Sequence, residues 1–231
     1  MKRGLIVYDY HDTLVDANRC FSSIADNVIQ EFKNIFGESY EFWKTEIIKY
    51  YSMNIKQHGY HPGLWSMSMV EIYRDYVDPG NYNRSHILSL LENSDKIFEN
   101  IPELFDMVSE VLDFMSRDYD QVLMSNFPKN LLIRDLNHHD ILKYFKDVKG
   151  YRWGKDFESV KLNTGELWSV GDSLSRDIQP AIIQGFNTVY IPYYSISSVF
   201  WPEKVFGDYQ LYATKHIEHI KYLPEVIYGG L

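Results

Sequence analysis

The chain has 231 residues, 45% of them hydrophobic and 24% charged, a balance that supplies one sizeable core, or a core with a smaller companion, and argues against wholesale disorder. A formal charge of −9 repels nucleic-acid backbones but leaves small phosphates open, provided a metal and a few cations gather locally. Cys20 is the only cysteine, which excludes an intrachain disulfide and a cysteine-rich zinc site; no apolar run has signal-peptide or membrane-spanning length, so the expectation is a cytoplasmic chain with neither nucleic-acid nor membrane partners.

In chain order, Leu5-Ile6-Val7-Tyr8 is a short apolar run with β-branched residues that stops at Asp9, as a buried strand does. Phe21, Ile24, Ala25, Val28, Ile29, Phe32, Ile35 and Phe36 then recur at three- and four-residue steps, one face of a helix that Gly37 can stop. Residues 40–56 are helix-like again, and 58–63 carry breakers and read as a loop. Helical spacing resumes over 64–76, a turn falls at 78–81, and a further helix covers 86–91. The stretch 15–98 is therefore predicted to be all-helical. The 19 tyrosines read as packing side chains rather than cofactor stackers.

From Pro102 the pattern changes. Residues 104–115 read as a helix, 121–124 as a strand stopping at Ser125-Asn126, and 131–145 as a helix. Residues 166–170 read as a strand stopping at Gly171-Asp172, 178–184 as a helix closed by Gly185, and 187–191 and 209–213 as strands. The stretch 193–231 is expected to supply an edge strand and a packing helix. Strands alternating with helices predict an α/β fold, a Rossmann-like parallel sheet core with helices on both faces. The core comprises 1–14 and 99–231, and the all-helical domain 15–98 is inserted directly after the first strand. Ligands of open parallel sheets bind beyond the carboxyl ends of the strands, and Asp9, Ser125-Asn126 and Gly171-Asp172 would share that edge.

The residues at those ends resemble a known set of motifs. Tyr8-Asp9-Tyr10-His11-Asp12-Thr13-Leu14 resembles the first motif of the haloacid dehalogenase-like (HAD) superfamily, an apolar strand and then Asp-x-Asp-x-Thr. Met124-Ser125-Asn126 resembles the second, a strand ending in Ser or Thr. Gly171-Asp172, followed by Asp177 and Ile178, resembles the fourth, which is the most specific of them. Order and spacing match from residue 4 to about 192.

The resemblance implies a Mg²⁺-dependent phosphatase that forms an aspartyl-phosphate on a small phosphorylated metabolite, with 15–98 as a helical cap of the kind that closes over such substrates. It assigns Asp9 as nucleophile and metal ligand. His11 takes the acid/base position and lends the metal its backbone carbonyl. Asp172 is a second metal ligand, and Asp177 binds a metal water or orients a neighbour. Thr13, Ser125, Asn126 and a lysine hold the phosphoryl group. Lys155, in Trp153-Gly154-Lys155-Asp156, is the expected lysine; Lys161, a few residues before the strand at Leu167, is the competitor.

One departure matters. Phosphatases of this family carry aspartate two residues after the nucleophile, and here the residue is His11; Asp12 also replaces a common glycine. An ordinary histidine pKa of about 6.5 suits proton transfer at neutral pH, but the ring is bulkier and reaches differently. Two alternatives therefore stay open: a catalytically impaired HAD-fold protein that binds a phosphometabolite or partner, and a HAD hydrolase acting on a C–halogen or C–P bond. The dehalogenase branch lacks the acidic pair that Asp172 and Asp177 supply, and phosphonate cleavage needs a Schiff-base lysine in the cap that the sequence does not identify.

Overall fold

The computed structural model describes residues 2–161, 165–193 and 213–229. They form two compact units, one from the chain up to Ala17 and from Pro102 onward, the other from Asn18–Ile101.

The second unit contains α1 (Ala17–Phe36), α2 (Tyr40–His58), α3 (Gly63–Tyr76) and α4 (Arg84–Glu99). Its core joins Ile24, Val28 and Phe32 of α1 to Trp43 and Ile47 of α2, Met69 and Ile72 of α3, and Leu90 of α4. These are the residues that recur at helical spacing, so each helix buries one stripe. Phe32 stacks on Trp43 at 5.1 Å between ring centroids. The breaker-rich loop ends where the His61 Nδ1 accepts the Gly63 N–H at 3.1 Å, a local hydrogen bond at the start of α3.

The first unit holds β1 (Gly4–Tyr8), α5 (Val108–Ser116), β2 (Tyr119–Ser125), α6 (Lys129–His138), β3 (Asp147–Gly150), β4 (Glu166–Gly171), α7 (Gln179–Ile183), β5 (Asn187–Tyr190), β6 (Lys215–His216) and α8 (Leu223–Tyr228). The strands pair in parallel in the order β3-β2-β1-β4-β5-β6. Every residue of β1 is buried, as an uninterrupted apolar run at the centre of a doubly covered sheet requires. Leu5 and Val7 pack with Val122, Met124 and Leu167 against Phe157, Ala181 and Phe186, while Ile6 and Tyr8 turn to the opposite face. The chain moves outward from β1 to β3, then restarts beside β1 with β4 and moves the other way. With the right-handed crossovers that parallel strands favour, this order sets the helices of the two halves on opposite faces and makes the ends of β1 and β4 the expected place for a ligand.

Three local expectations shift. The helix predicted from Leu104 starts at Val108, because Leu104 bridges Val15 and the Phe105 N–H donates to the Leu14 carbonyl at 3.0 Å. The helix predicted to reach Phe145 stops at His138; Asp140 takes a left-handed φ of 54°, and the apolar spacing beyond it is carried by a short 3-10 turn. Strand β3 follows there. The strand expected at 209–213 falls, but for Ala213, outside the described residues; β6 at the sheet edge and α8 supply the edge strand and helix expected of the C-terminal stretch.

Candidate active site

Asp9 is the first residue past β1, and its N–H still donates to the Val170 carbonyl of β4 at 2.9 Å. Asp172 is the first residue past β4. Pairing of these two strands therefore delivers both carboxylates to one place. Asp177 joins them: one carboxylate oxygen each from Asp9, Asp172 and Asp177 lie within 4.8 Å of one another.

Asp177 arrives on a π-helical turn, Leu174–Ile178, in which the N–H groups of Asp177 and Ile178 both donate to the Ser173 carbonyl, at 2.9 and 3.2 Å. Such widened turns are rare and concentrate at functional sites. The Asp177 Oδ2 accepts the Ser173 N–H at 3.0 Å, and the Ser169 hydroxyl donates to the Asp177 backbone carbonyl at 3.0 Å. Gly171 makes this approach possible, since a methyl group there would sit 2.4 Å from the Asp177 Oδ2.

Lys155 ties the cluster together. Its ammonium donates to the Asp9 Oδ1 and to the Asp177 Oδ1, each at 2.5 Å. Burial pulls its pKa down, but the charges and hydrogen bonds of Asp177 and Asp9 more than reverse this, so it stays protonated. The Thr13 hydroxyl donates to the other Asp9 oxygen at 3.4 Å. Lys161 is exposed, and its backbone N–H closes a turn onto Glu158.

The site is rich in negative charge. Burial, then the charges of Asp9 and Asp177, push the Asp172 carboxyl well above its ordinary range, with Arg176 opposing. Burial likewise raises Asp177, against the pull of Lys155. His11 goes the other way: burial first, then Lys155 and Arg176, hold it down to about 3. The imidazole is therefore neutral across the physiological range. It packs edge-on against Phe127, with ring centroids 4.8 Å apart.

The remaining predicted residues sit at the ends of β1 and β2. Asp12 adopts a left-handed φ of 58°, a conformation glycine takes freely and aspartate tolerates. The Ser125 hydroxyl accepts the Phe127 N–H at 3.3 Å. The Asn126 amide donates to the Trp153 carbonyl at 2.7 Å and so faces the segment carrying Lys155. Two contributors escaped the sequence reading. Arg176 supplies a second cation, and its Nε donates to the Ser173 hydroxyl at 3.0 Å; Ser173 holds Asp177. Both lie inside the Gly-Asp to Asp motif, so their position in it was the available signal.

Three clustered carboxylates form an all-oxygen donor set, and the strain that raises Asp172 is what a hard divalent cation would relieve. The residues fit such an ion. The Asp9 carboxylate is held through one oxygen by Lys155 and through the other by Thr13.

No family model matches the chain, and no curated protein matches it in sequence. Solved structures match it along almost its full length. A haloacid dehalogenase-like family hydrolase from Xanthomonas campestris superposes with a TM-score of 0.78 at 15% identity, over 98% of this chain and 91% of that one. The HAD-hydrolase YfnB from Bacillus subtilis, solved bound to magnesium, gives 0.67 at 14% identity, over 98% and 99%. A 2-haloacid dehalogenase from Pseudomonas syringae pv. Tomato gives 0.65 at 16%, over 100% of both chains. Phosphatases match at comparable identity. The chain thus has the HAD-like hydrolase fold, with a helical region inserted between β1 and β2.

Proposed function

We propose that the chain is a Mg²⁺-dependent phosphatase, in which Asp9 takes the phosphoryl group of a small phosphorylated metabolite and water then releases it. The observation that carries this reading is the convergence of Asp9, Asp172 and Asp177 to within 4.8 Å. Bound Mg²⁺ would supply the positive charge that lets a carboxylate approach a dianionic phosphate. Asp9, Asp172, Asp177 and the His11 backbone carbonyl would hold it. A bond forms from the Asp9 carboxylate to phosphorus as the ester oxygen departs and takes a proton from solvent. Lys155, Ser125, Thr13 and nearby backbone N–H groups stabilise the transferring oxygens. Water then attacks phosphorus and breaks its bond to Asp9, with His11 at the acid/base position; a pKa held down to about 3 makes its imidazole a weak base, which the negative charge of the phosphoryl group would strengthen. Residues 15–98 would serve as the cap, consistent with a small substrate. A single cysteine and the absence of any membrane-crossing helix among the described residues suit a cytoplasmic enzyme.

One observation favours a second reading, cleavage of a carbon–halogen bond. Lys155 pairs with both Asp9 and Asp177 and so offsets part of the charge at the site, and a 2-haloacid dehalogenase shares the fold. A panel of phosphorylated metabolites and 2-haloacids, each with and without Mg²⁺, separates the two. Phosphate release that requires Mg²⁺ is the expected result. Metal-independent halide release would select the second reading, and turnover of neither class would contradict both.

A further inference from the structure

Phe157 anchors the segment after Lys155 in the core, but the residues just before it pack little: Trp153 is 62% exposed, and a Cβ built on Gly154 would meet nothing within 4 Å. On the side before Lys155, hydrogen bonds tie the segment to the end of β2. The Tyr151 N–H donates to the Ser125 carbonyl at 2.8 Å. The Asn126 side-chain nitrogen donates to the Trp153 carbonyl at 2.7 Å and to the Tyr151 carbonyl at 3.4 Å. Both partners are acceptors, so the NH₂ end of the amide must face them. Gly150 lets the two segments close up, since a Cβ there would lie 2.5 Å from the Phe127 carbonyl.

We infer that Asn126 is a positioning residue that acts through Lys155: it pins the Trp153 carbonyl, two residues before Lys155, and so holds the ammonium on Asp9 and Asp177. Its amide donors are engaged in this clamp instead of on a phosphoryl group. The clamp is a statement about the chain alone; only its kinetic consequence rests on the phosphatase reading.

The test is competitive acetylation of the folded protein with limiting acetic anhydride, read by peptide mass spectrometry. The Lys155 side chain is 2% exposed and engaged by two carboxylates, whereas Lys161 is exposed and serves as an internal standard. In Asn126→Ala, labelling of Lys155 relative to Lys161 rises about tenfold, as the loss of one or two hydrogen bonds shifts a local opening equilibrium. Amide exchange in β1 and β4 stays as in the parent. Asn126→Asp has the same size but turns a carboxylate toward two carbonyls, and it raises the ratio at least as far; it also serves if the alanine variant does not fold. An unchanged ratio in a folded variant overturns the clamp, as does a rise matched by general loosening of β1 and β4. Kinetically, Asn126→Ala added to Lys155→Ala costs no further turnover of an aryl phosphate, whereas multiplied losses would mean that Asn126 touches substrate. If the parent hydrolyses no phosphate ester yet the labelling ratio rises, the phosphatase reading fails and the clamp stands.

Discussion

Lys155 and Asp177 form a buried ion pair, with Nζ 2.5 Å from Oδ1 and both side chains 2% exposed. Removing one partner of such a pair leaves a charge without compensation in a low-dielectric site, at a cost of roughly 3–5 kcal/mol. Lys155→Met is therefore expected to lose about that much stability in urea unfolding, while Lys161→Met changes it by no more than about 0.5 kcal/mol. Equal losses from the two variants would contradict the assignment of Lys155 over Lys161.

His11 yields a pH prediction. Its folded-state pKa, about 3, lies below the unfolded value of about 6.5. Between these values the unfolded chain binds more protons than the native one. The stability tied to neutral His11 is thus fully present above pH ~6.5 and is lost as pH falls toward 3. Unfolding free energy should fall more steeply over that window in the parent than in His11→Asn. In turnover, His11→Ala is expected to lose ~10²–10⁴-fold, the usual worth of general acid–base help, while His11→Asp retains or raises the rate. Equal rates for all three forms would remove the role.

Much of the site was legible because its chemistry lies at strand ends, where short apolar runs stop at Asp9, Ser125 and Asp172. The insertion was legible because Phe21 to Phe36 keep a helical period over roughly four turns. Strand β3 was not. It has four residues, of which Val148 alone is buried, so no period could form. The extent of α6 was misjudged because Ile141 and Phe145 continue the apolar spacing past the left-handed turn at Asp140. Tertiary contacts were invisible for a different reason. The Lys155 ammonium that meets Asp177 and the Asn126 amide that reaches Trp153 join residues 22 and 27 apart, and local pattern carries no such information.

Asp172 predicts an opposition between stability and metal binding. Its folded-state pKa is raised, so the stability it contributes is present below the unfolded value and is lost as pH rises through the folded one. Above the unfolded value, the surroundings that disfavour the Asp172 carboxylate therefore cost stability unless a cation offsets them. Asp172→Asn should then stabilise the metal-free protein by roughly 1–2 kcal/mol, a common size for relief of a functional site. Millimolar-range Mg²⁺ should raise the Tm of the parent and leave that of Asp172→Asn unchanged. A Tm increase of equal size in both proteins would place the ion elsewhere.

The most direct measurement traps the covalent intermediate. The protein is mixed with an aryl phosphate and Mg²⁺, quenched in acid, and its peptides are read by mass spectrometry. A phosphoryl group on Asp9, absent without Mg²⁺ and absent from Asp9→Asn, is the predicted result. Mg²⁺-dependent hydrolysis that persists in Asp9→Asn, or that places the adduct on another residue, would contradict the account.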